Sequence, residues 1–383
     1  MEKRKGKRPQ AKGQFRTSDS GLWPRNSRLP PHGGNVHAFA RARGIAPESV
    51  LDFSASINPL GWPPQAESAY RQALSRIVHY PEPYAETLTT TLAEYHCLNP
   101  EAVLVGNGST QLISLLARTL AAQRVLLIAP LFSEHQAAFR LSGAQVEHFL
   151  LRPPRFVLLL ERLSLALMKN YDVVVLTNPN SPTGALVPRV QTEALVQLCQ
   201  RTHTKLIIDE AFIDWVEEES FKQIAAHNPH VIVLRSLTKF FALPGLRAGY
   251  VIARPQVIKR LRAQLEPWSV NTVAQEVAVA CVQDPQFVQR SREFLVRERA
   301  WLFEQVAAVA GLQPFPSQAN FLLVRFAKGA LSAPLLVQRL ATENILIRSC
   351  HNFHGLGKQF FRIAVRTREE NARLLAMLRK VCG

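Results

Sequence analysis

Residues 205–212 read Lys-Leu-Ile-Ile-Asp-Glu-Ala-Phe, and residues 230–240 read His-Val-Ile-Val-Leu-Arg-Ser-Leu-Thr-Lys-Phe. In both stretches a short apolar run, typical of a buried parallel strand, ends in polar side chains. Comparable apolar runs, separated by helix-forming segments, span residues 103–105, 124–129, 172–177 and 249–252. This alternation predicts an α/β domain in which a mostly parallel sheet carries helices on both faces.

The rest of the chain predicts flanking parts around that domain. A long helical region is expected from about Thr272 to Ala310, and strands are expected near residues 320–325, 345–348 and 360–365. We therefore expect four segments. They are a basic, disordered extension at 1–29, an N-terminal segment at 30–60 that packs with the small domain, a large domain at 61–285 and a small α+β domain at 286–383.

The composition favours a globular protein of two domains. The chain has 383 residues, of which 47% are hydrophobic, and this length exceeds what one simple core usually holds. No apolar run reaches the roughly 18 residues of a membrane-spanning helix, so we expect no membrane insertion. The five cysteines are scattered without CxxC spacing, which favours a reducing, cytoplasmic compartment over a disulfide framework.

The net charge of +17 is unevenly distributed, with the highest density of positive charge at the N-terminus. Residues 1–30 hold nine lysines and arginines against two acidic residues, in a polar context typical of a solvated tail. Thirty residues are too few for a winged helix or a similar DNA-binding domain, so we expect no nucleic-acid partner. The excess positive charge of the remaining chain favours an anionic small molecule as the ligand.

Polar residues follow the predicted strands at the sheet edge where α/β proteins bind ligands. Asp209 ends a buried strand, where an unpaired carboxylate is costly, so a cationic partner is expected. Lys239 follows the next strand, and Arg247 comes eight residues later. Upstream, residues 177–184 read Thr-Asn-Pro-Asn-Ser-Pro-Thr-Gly behind another strand. This order of motifs is hard to obtain by chance, although each residue alone is common.

These groups match the requirements of pyridoxal phosphate (PLP). A lysine forms a Schiff base with its aldehyde, and an aspartate keeps its pyridine nitrogen protonated so that the ring accepts electrons. Gly108 opens a helix, where backbone N–H groups and the helix dipole favour a phosphate dianion. The remaining phosphate donors are expected from Ser236, Thr238 and Arg247.

From His32 to its C-terminus the chain resembles the fold-type I, PLP-dependent enzymes of aminotransferase class I and II. Within this class it is most similar to the threonine-phosphate decarboxylases of cobalamin biosynthesis, and next to the histidinol-phosphate aminotransferases. The narrower resemblance rests on residues 32–35 (His-Gly-Gly-Asn), 51–61, 80–84, 235–240 and 361–366. It implies a large domain with a mostly parallel seven-stranded sheet, a smaller α+β domain, and PLP as the cofactor.

The resemblance also implies roles for individual residues. Lys239 corresponds to the Schiff-base lysine, and Asp209 to the partner of the pyridine nitrogen. Tyr80 would reach the cofactor phosphate of a neighbouring subunit, which implies a homodimer with shared active sites. The other implied cofactor contacts are Gly108, Ser109, Thr110, Asn180, Ser181, Phe212, Ser236, Thr238 and Arg247.

For the substrate, Arg362 matches the carboxylate-binding arginine of the class. The other residues expected to bind the substrate are His32, Gly33, Asn58, Arg348 and Arg366. Two positions depart from the family pattern, and both concern the cofactor hydroxyl O3′. Ser181 stands where asparagine is usual, so either Ser181 or Asn180 contacts O3′, and Phe212 stands where a hydroxyl-bearing tyrosine is common.

The implied reaction is decarboxylation of O-phospho-L-threonine to (R)-1-amino-2-propanol O-phosphate and CO2, for assembly of the cobalamin nucleotide loop. The PLP motif alone does not separate decarboxylation from transamination, because both reactions begin with the same cofactor–substrate adduct. A histidinol-phosphate or other phospho-amino-acid aminotransferase is therefore the alternative. What decides between them is which bond of Cα is held perpendicular to the cofactor ring.

Two further hypotheses, a binding protein and a metal site, have weaker support. A PLP-fold binding protein with its tail on nucleic acid is disfavoured by the intact set of lysine, aspartate and arginine. Residues 350–354 read Cys-His-Asn-Phe-His and offer metal-ligand types, but no second ligand pair of zinc-like spacing accompanies them. We therefore expect no metal ion, and a loop beside Arg348 instead.

Overall fold

A seven-stranded sheet forms the centre of the chain. The computed structural model describes residues 32–327 and 331–382, so the predicted basic extension at 1–29 lies outside the described residues. The strands are β1 (Leu51–Asp52), β2 (Val103–Gly106), β3 (Arg124–Ala129), β4 (Gln145–Leu150), β5 (Val173–Thr177), β6 (Lys205–Asp209), β7 (Val231–Ser236), β8 (Gly249–Ile252), β9 (Leu312–Pro314), β10 (Phe321–Phe326), β11 (Ile345–Leu346), β12 (Arg348–Ser349) and β13 (Phe360–Ala364).

The central sheet has the order β2-β8-β7-β6-β5-β3-β4. Strands β3 to β7 run parallel to their neighbours, whereas β8 is antiparallel to both β2 and β7. The predicted fold class, with its mostly parallel seven-stranded sheet, is therefore confirmed. Because β5, β6 and β7 are adjacent and parallel, their last residues lie side by side at one edge of the sheet.

Helices pack on both faces of the central sheet and against the C-terminal strands. They are α1 (Val36–Arg43), α2 (Pro64–Ala73), α3 (Glu86–His96), α4 (Gly108–Leu120), α5 (Ser133–Leu141), α6 (Leu160–Leu167), α7 (Arg189–Arg201), α8 (Lys222–His227), α9 (Leu237–Phe240), α10 (Pro255–Arg262), α11 (Thr272–Val282), α12 (Pro285–Ala307), α13 (Ala333–Ala341) and α14 (Arg368–Cys382). Four short 3-10 helices span Pro47–Ser49, Leu74–Arg76, Pro100–Ala102 and Ile213–Glu219 of the described residues.

The strand side chains alternate between two hydrophobic cores. Leu206 and Ile208 on β6 pack in the core that includes α3, α6, α7 and α11, whereas Ile207 between them packs with α4, α5 and α10. This alternation follows from the two-residue period of a strand. Burial on both faces explains why the central strands are continuously apolar.

A second sheet lies in the C-terminal part, with the antiparallel order β12-β13-β10-β9. The N-terminal segment joins it, because β1 pairs in parallel with β11 and the amide of Ala364 donates to the carbonyl of Phe53. Chain segments that are distant in sequence thus meet beside the central sheet. The predicted domain boundaries at residues 60 and 285 stay predictions.

The structure divides the predicted long helix of residues 272–310 in two. Helix α11 ends at Val282, and α12 begins at Pro285. The side chain of Asp284 accepts a hydrogen bond from the amide of Phe287, and proline is favoured in the first turn of a helix because it needs no amide partner there. Within the described residues, no helix combines the length and apolarity needed to cross a bilayer.

Candidate active site

Lys239 lies directly behind the end of a central strand. Strand β7 ends at Ser236, and the four-residue helix α9 turns the chain so that Lys239 faces the sheet edge. The Lys239 Nζ donates to Thr238 Oγ1 at 2.7 Å and lies 3.4 Å from Ser236 Oγ, and the two hydroxyls are 2.8 Å apart. The backbone also holds this turn, because the amide of Asn58 donates to the carbonyl of Lys239.

The environment of Lys239 favours its neutral amine. Burial, reinforced by the charges of Arg247 and Arg362, lowers the pKa of Lys239 to about 8, against the opposing charge of Asp209. A lysine becomes nucleophilic only when its amine has lost its proton. The site therefore provides a usable nucleophile close to neutral pH.

Asp209 is held by a buried histidine. The carboxylate lies at the end of β6, and its Oδ2 is 2.8 Å from Nε2 of His135 in the first turn of α5. The amide of Ala211 donates to its Oδ1 at 3.1 Å. Asp209 and His135 are both buried, so the carboxylate is fixed in orientation. Sequence reasoning missed His135, because its proximity depends on the spatial order of strands β6, β5 and β3.

A compact cradle lies where β2, β7 and β8 meet. Gly106, Gly249 and Ser236 are register neighbours, and α4 begins at Gly108. Gly108 has φ +73°, and a Cβ there would lie 2.6 Å from Nη2 of Arg247. A Cβ on Gly249 would lie 2.8 Å from the amide nitrogen of Ser109. Only glycine permits this approach of an arginine and a helix N-terminus, which together favour a bound phosphate.

Two arginines project from the small sheet. Arg348 on β12 and Arg362 on β13 are direct register partners, and both are buried. Arg362 donates to Ser181 Oγ at 3.0 Å and to the carbonyl of Ser54 at 3.1 Å, and burial lowers its pKa to about 10. Arg348 donates to Asn352 Oδ1 at 2.8 Å, and burial lowers its pKa as well. These two guanidinium groups make this wall of the site strongly cationic.

The lysine, the aspartate and both arginines line one cavity of about 240 Å³, which we call the catalytic cavity. Two of its hydroxyls, Ser56 Oγ and Thr177 Oγ1, are buried without any hydrogen-bond partner. Such groups are costly unless a ligand supplies the missing bond. The lining comprises His32, Gly33, Ser54, Ala55, Ser56, Ile57, Ser109, Phe132, Thr177, Ser181, Asp209, Ala211, Phe212, Lys239, Arg348, Phe353 and Arg362.

The loop after β5 presents Ser181 to the catalytic cavity rather than Asn180. The Asn180 side chain is used within the protein: it donates to the carbonyl of Pro130 and accepts from the amide and hydroxyl of Thr183. Ser181 lines the cavity and accepts from Arg362. Phe212 also lines it, with its ring centroid 5.8 Å from Nζ of Lys239.

Asn58, Arg366 and Tyr80 lie outside the lining of the catalytic cavity. Six residues of the predicted cofactor set are also absent from that lining: Gly108, Thr110, Asn180, Ser236, Thr238 and Arg247. Asn58 is buried and donates to the carbonyl of Phe240 and to Ser291 Oγ, both at 2.9 Å, so it supports the lysine turn from behind. Arg366 forms an ion pair of 2.6 Å with Glu370. Tyr80 is 83% exposed. Asn58 and Arg366 thus lie away from the cavity lining, and their predicted roles in substrate binding stay predictions.

His32 closes one edge of the catalytic cavity. Its Nε2 is 3.1 Å from Glu134 Oε1, and its ring packs edge-on against Phe132. Gly33 beside it also lines the cavity. Thr110, in the first turn of α4, is half-buried next to the cradle.

A buried ionic network lies behind the strand ends. Arg235, which precedes Ser236, is fully buried and pairs with Glu210 at 3.4 Å, Asp214 at 2.9 Å and Glu217 at 2.6 Å. Burial raises the pKa of Glu210 to about 7, although Arg235 opposes that shift. Because Glu210 follows Asp209, this network links the two strand ends that carry the catalytic groups.

The chain matches the aminotransferase class I and II family over residues 48–378, and it belongs to that family of PLP-dependent enzymes. It is 38% identical over 352 residues to the threonine-phosphate decarboxylase of Salmonella typhimurium, covering 91% of this chain and 96% of that relative. The resemblance found in the sequence is thus confirmed.

Two solved structures support the same class. The L-threonine-O-3-phosphate decarboxylase from Porphyromonas gingivalis superimposes with a TM-score of 0.77 at 27% identity, covering 86% of this chain and 98% of that one. The histidinol-phosphate aminotransferase from Clostridium acetobutylicum gives a TM-score of 0.80 at 28% identity, with the same two coverages. The fold is therefore common to both activities, and the site has to separate them.

The residues present fit PLP, the cofactor of the family. Lys239 and Asp209 lie in one cavity, the glycine cradle with Arg247 offers a phosphate site, and the hydroxyl of Thr177 lacks a partner inside the protein. Lys239 would meet the aldehyde of the cofactor, and Asp209 its ring nitrogen. The glycine cradle would meet the phosphate, and Thr177 a ring substituent. This agreement supports PLP as the cofactor of this chain.

Proposed function

We propose that this protein catalyses the PLP-dependent decarboxylation of O-phospho-L-threonine, which yields (R)-1-amino-2-propanol O-phosphate and CO2. The similarity to the Salmonella typhimurium threonine-phosphate decarboxylase, over nearly the full length of both chains, supports this activity. The product is the amino-alcohol phosphate of the cobalamin nucleotide loop, so the protein would act in cobalamin assembly.

The observation that carries the proposal is the pair Arg348 and Arg362 on one wall of the catalytic cavity. Two guanidinium groups suit a substrate with two separate anionic groups, because arginine binds both carboxylates and phosphates through parallel N–H donors. O-phospho-L-threonine has one carboxylate and one phosphate. Histidinol phosphate has a phosphate and no carboxylate, so it would use only one of the two arginines.

The protein's own groups would determine which bond breaks. With the phosphate and the carboxylate each held by an arginine, the amino acid has little freedom to rotate about its Cα. Arg362 lies beside Ser181 and would hold the carboxylate near the cofactor ring, and Arg348 with His32 would hold the phosphate farther out. Decarboxylation requires that this two-point binding hold the bond from Cα to the carboxylate perpendicular to the cofactor ring.

Lys239 and Asp209 would supply the proton chemistry. PLP, when bound, acts as an electron sink for the electron pair left on Cα. Asp209, fixed by His135, would keep a proton on the ring nitrogen. Lys239, whose amine takes and gives a proton close to neutral pH, would deliver a proton to Cα after CO2 has left.

The proposal is tested with purified holoenzyme and O-phospho-L-threonine in the absence of any keto acid. Sustained CO2 release over many turnovers, with one amino-propanol phosphate per CO2, is the expected result. Conversion of the cofactor to its pyridoxamine form without CO2 would reject the decarboxylase and favour the aminotransferase. Histidinol phosphate plus a keto acid, run in parallel, measures that alternative directly.

We further propose that the protein is a homodimer in which Tyr80 completes the partner's active site. Tyr80 is 83% exposed and lies against Trp268, with ring centroids 5.1 Å apart. The neighbouring Ile77 and Val78 are 61% and 78% exposed, so an apolar surface surrounds it. Large exposed apolar side chains that cluster in this way are typical of subunit interfaces.

Mixing two inactive variants tests the shared site. A dimer of one Tyr80→Ala subunit and one Lys239→Ala subunit contains one site with both residues intact. Activity should therefore reappear when the two variants are mixed and re-equilibrated. If the mixture stays as inactive as its components, Tyr80 does not act across subunits.

The cellular location is also a proposal. The five cysteines are free in the structure, and three of them, Cys199, Cys281 and Cys350, are buried. Free thiols are typical of a reducing compartment, which supports the cytoplasm. Fractionation of the native host, with detection of the protein in the cytoplasmic fraction, is the corresponding measurement.

A further inference from the structure

A second cavity, of about 410 Å³, adjoins the catalytic cavity. We call it the histidine cavity, because His32, His148, His351 and His354 all line it. The two cavities have a common wall, formed by His32, Phe132, Arg348 and Phe353. The remaining lining residues are Leu131, Ser133, Gln136, Asn352, Gly355 and Leu356.

The histidines come from two separate parts of the fold. His148 lies on the edge strand β4, and His351 and His354 lie on the loop that follows β12. The rings of His148 and His354 stack with centroids 4.0 Å apart and an interplanar angle of 25°. Within the described residues, no three or more His, Cys, Asp or Glu side chains are grouped so that they could hold a metal ion.

Positive groups surround the histidine cavity. The positive charge of Arg140 disfavours protonation of His148. The charges of Arg348 and Lys358 disfavour protonation of His351. Its lining contains no carboxylate among the described residues, and His32 of the lining pairs with Glu134 at 3.1 Å. Helix α5 also begins at the cavity, where Ser133 contributes to the lining and no side chain caps the helix.

The titration of the histidines agrees with an anion ligand. Burial, with the charges of His354 and Arg140, lowers the pKa of His148 to about 4, and burial with Arg348 and Lys358 lowers the pKa of His351. Near neutral pH these rings are therefore uncharged and each offers an N–H donor. A bound dianion would accept hydrogen bonds from these N–H groups.

We propose that the histidine cavity is a second anion site, which holds the phosphate group of a phosphate ester before the ester enters the catalytic cavity. Its identity as a waiting site for this substrate rests on the proposed function. The anion site itself rests on the stacked histidines, the surrounding positive groups and the wall common to both cavities.

The variant to test is His148→Gln/His354→Gln, which replaces both stacked rings. His354→Gln alone is a second variant, since His354 is exposed on a loop and its replacement leaves strand β4 intact. The matched control is His227→Gln, which changes an exposed histidine at the end of α8. All proteins are used as holoenzyme.

Calorimetric titration with inorganic phosphate, in two buffers of different ionisation enthalpy, provides a readout that does not depend on turnover. We expect the wild type to show a phosphate-binding event, and the two buffers separate its binding heat from any heat of buffer ionisation. The double variant should bind phosphate about tenfold more weakly, because it loses a charge-assisted hydrogen bond. The affinity of H227Q should match that of the wild type. Identical isotherms for the double variant and the wild type would overturn the proposal.

Steady-state kinetics with O-phospho-L-threonine tests the role in substrate entry. The double variant should lose about tenfold in kcat/KM and keep its kcat, because entry is slowed and chemistry is not. Weakened phosphate binding with an unchanged kcat/KM would show a site for free phosphate only and reject the waiting site. If wild-type enzyme fails to turn over the ester, the proposed function is rejected, and the calorimetry still decides the anion site.

Discussion

Arg348 and Arg362 lie directly opposite each other on adjacent antiparallel strands, and both side chains line the catalytic cavity. Like charges at opposed positions of a sheet destabilise it, and burial increases that cost by removing water. The lowered pKa of Arg362, due to burial and then to Arg348, reflects this repulsion. An anionic substrate bound by both guanidinium groups would relieve this repulsion.

The first prediction concerns these two arginines. Arg348→Lys and Arg362→Lys each preserve the charge but lose the forked donor geometry. Each variant should lose about tenfold or more in kcat/KM for O-phospho-L-threonine, measured by CO2 release.

The matched control for these variants is Arg325→Lys on β10 of the same small sheet. Arg325 donates to Gln313 at the surface, so its kcat/KM should stay within about twofold of wild type. If R348K and R362K fall within the range of this control, the two arginines do not bind the anionic groups.

The second prediction concerns pH. Because the pKa of Lys239 is lowered to about 8, the neutral amine becomes the major form as the pH rises through that value. The rate at which apoenzyme captures PLP covalently should therefore increase from pH 6 to 9 and then level off. Stopped-flow absorbance of the cofactor measures this rate, and a midpoint near 10.5, the ordinary value for lysine, would contradict the account.

The third prediction concerns the phosphate cradle. In Gly108→Ala, the added Cβ would lie 2.6 Å from Nη2 of Arg247 at a backbone φ of +73°. Arg247 must move, which removes one charge-assisted contact with the cofactor phosphate. The affinity for PLP, measured by equilibrium dialysis, should therefore fall about tenfold or more. Gly143→Ala is the control, because it also has positive φ but no atom within 4 Å of the added carbon. Equal losses in both variants would attribute the effect to the backbone alone.

The fourth prediction concerns stability. Arg235→Ala leaves the carboxylates of Glu210, Asp214 and Glu217 without their common guanidinium. The free energy of unfolding should fall by about 3–5 kcal/mol, since buried charges are left uncompensated. Urea denaturation followed by circular dichroism measures this change. Arg71→Ala, which breaks an exposed pair with Glu67, should cost less than about 1 kcal/mol, and a similar loss in R235A would refute the structural role of the network.

The sequence predicts the central strands well because they are buried on both faces. Their continuous apolar runs are distinct from any helical pattern, as in residues 206–208 and 231–234. The sequence does not predict strand β4, because Gln145–Leu150 at the sheet edge mixes polar and apolar residues without a clear period. The break at Asp284 and Pro285 was also missed, although an N-cap followed by proline is a start signal for a helix.

For the site, strand ends are predictable and contacts across the fold are not. Asp209 and Lys239 follow their strands directly, so parallel topology alone brings them to the same edge. His135 reaches Asp209 only because β5 and β3 adjoin β6 in the order that the structure shows. Arg366 lies within a site motif, yet it forms an ion pair with Glu370 in the first turn of α14, which begins two residues after Arg366.

The most direct test of the account uses O-phospho-L-threonine that carries an isotopic label in its carboxylate, with holoenzyme in heavy water and no keto acid. The account predicts that all of the label leaves as CO2 and that the amino-propanol phosphate gains one deuterium on its amino-bearing carbon. Label retained in an organic acid, with the nitrogen transferred to the cofactor, would contradict decarboxylation and identify the reaction as transamination.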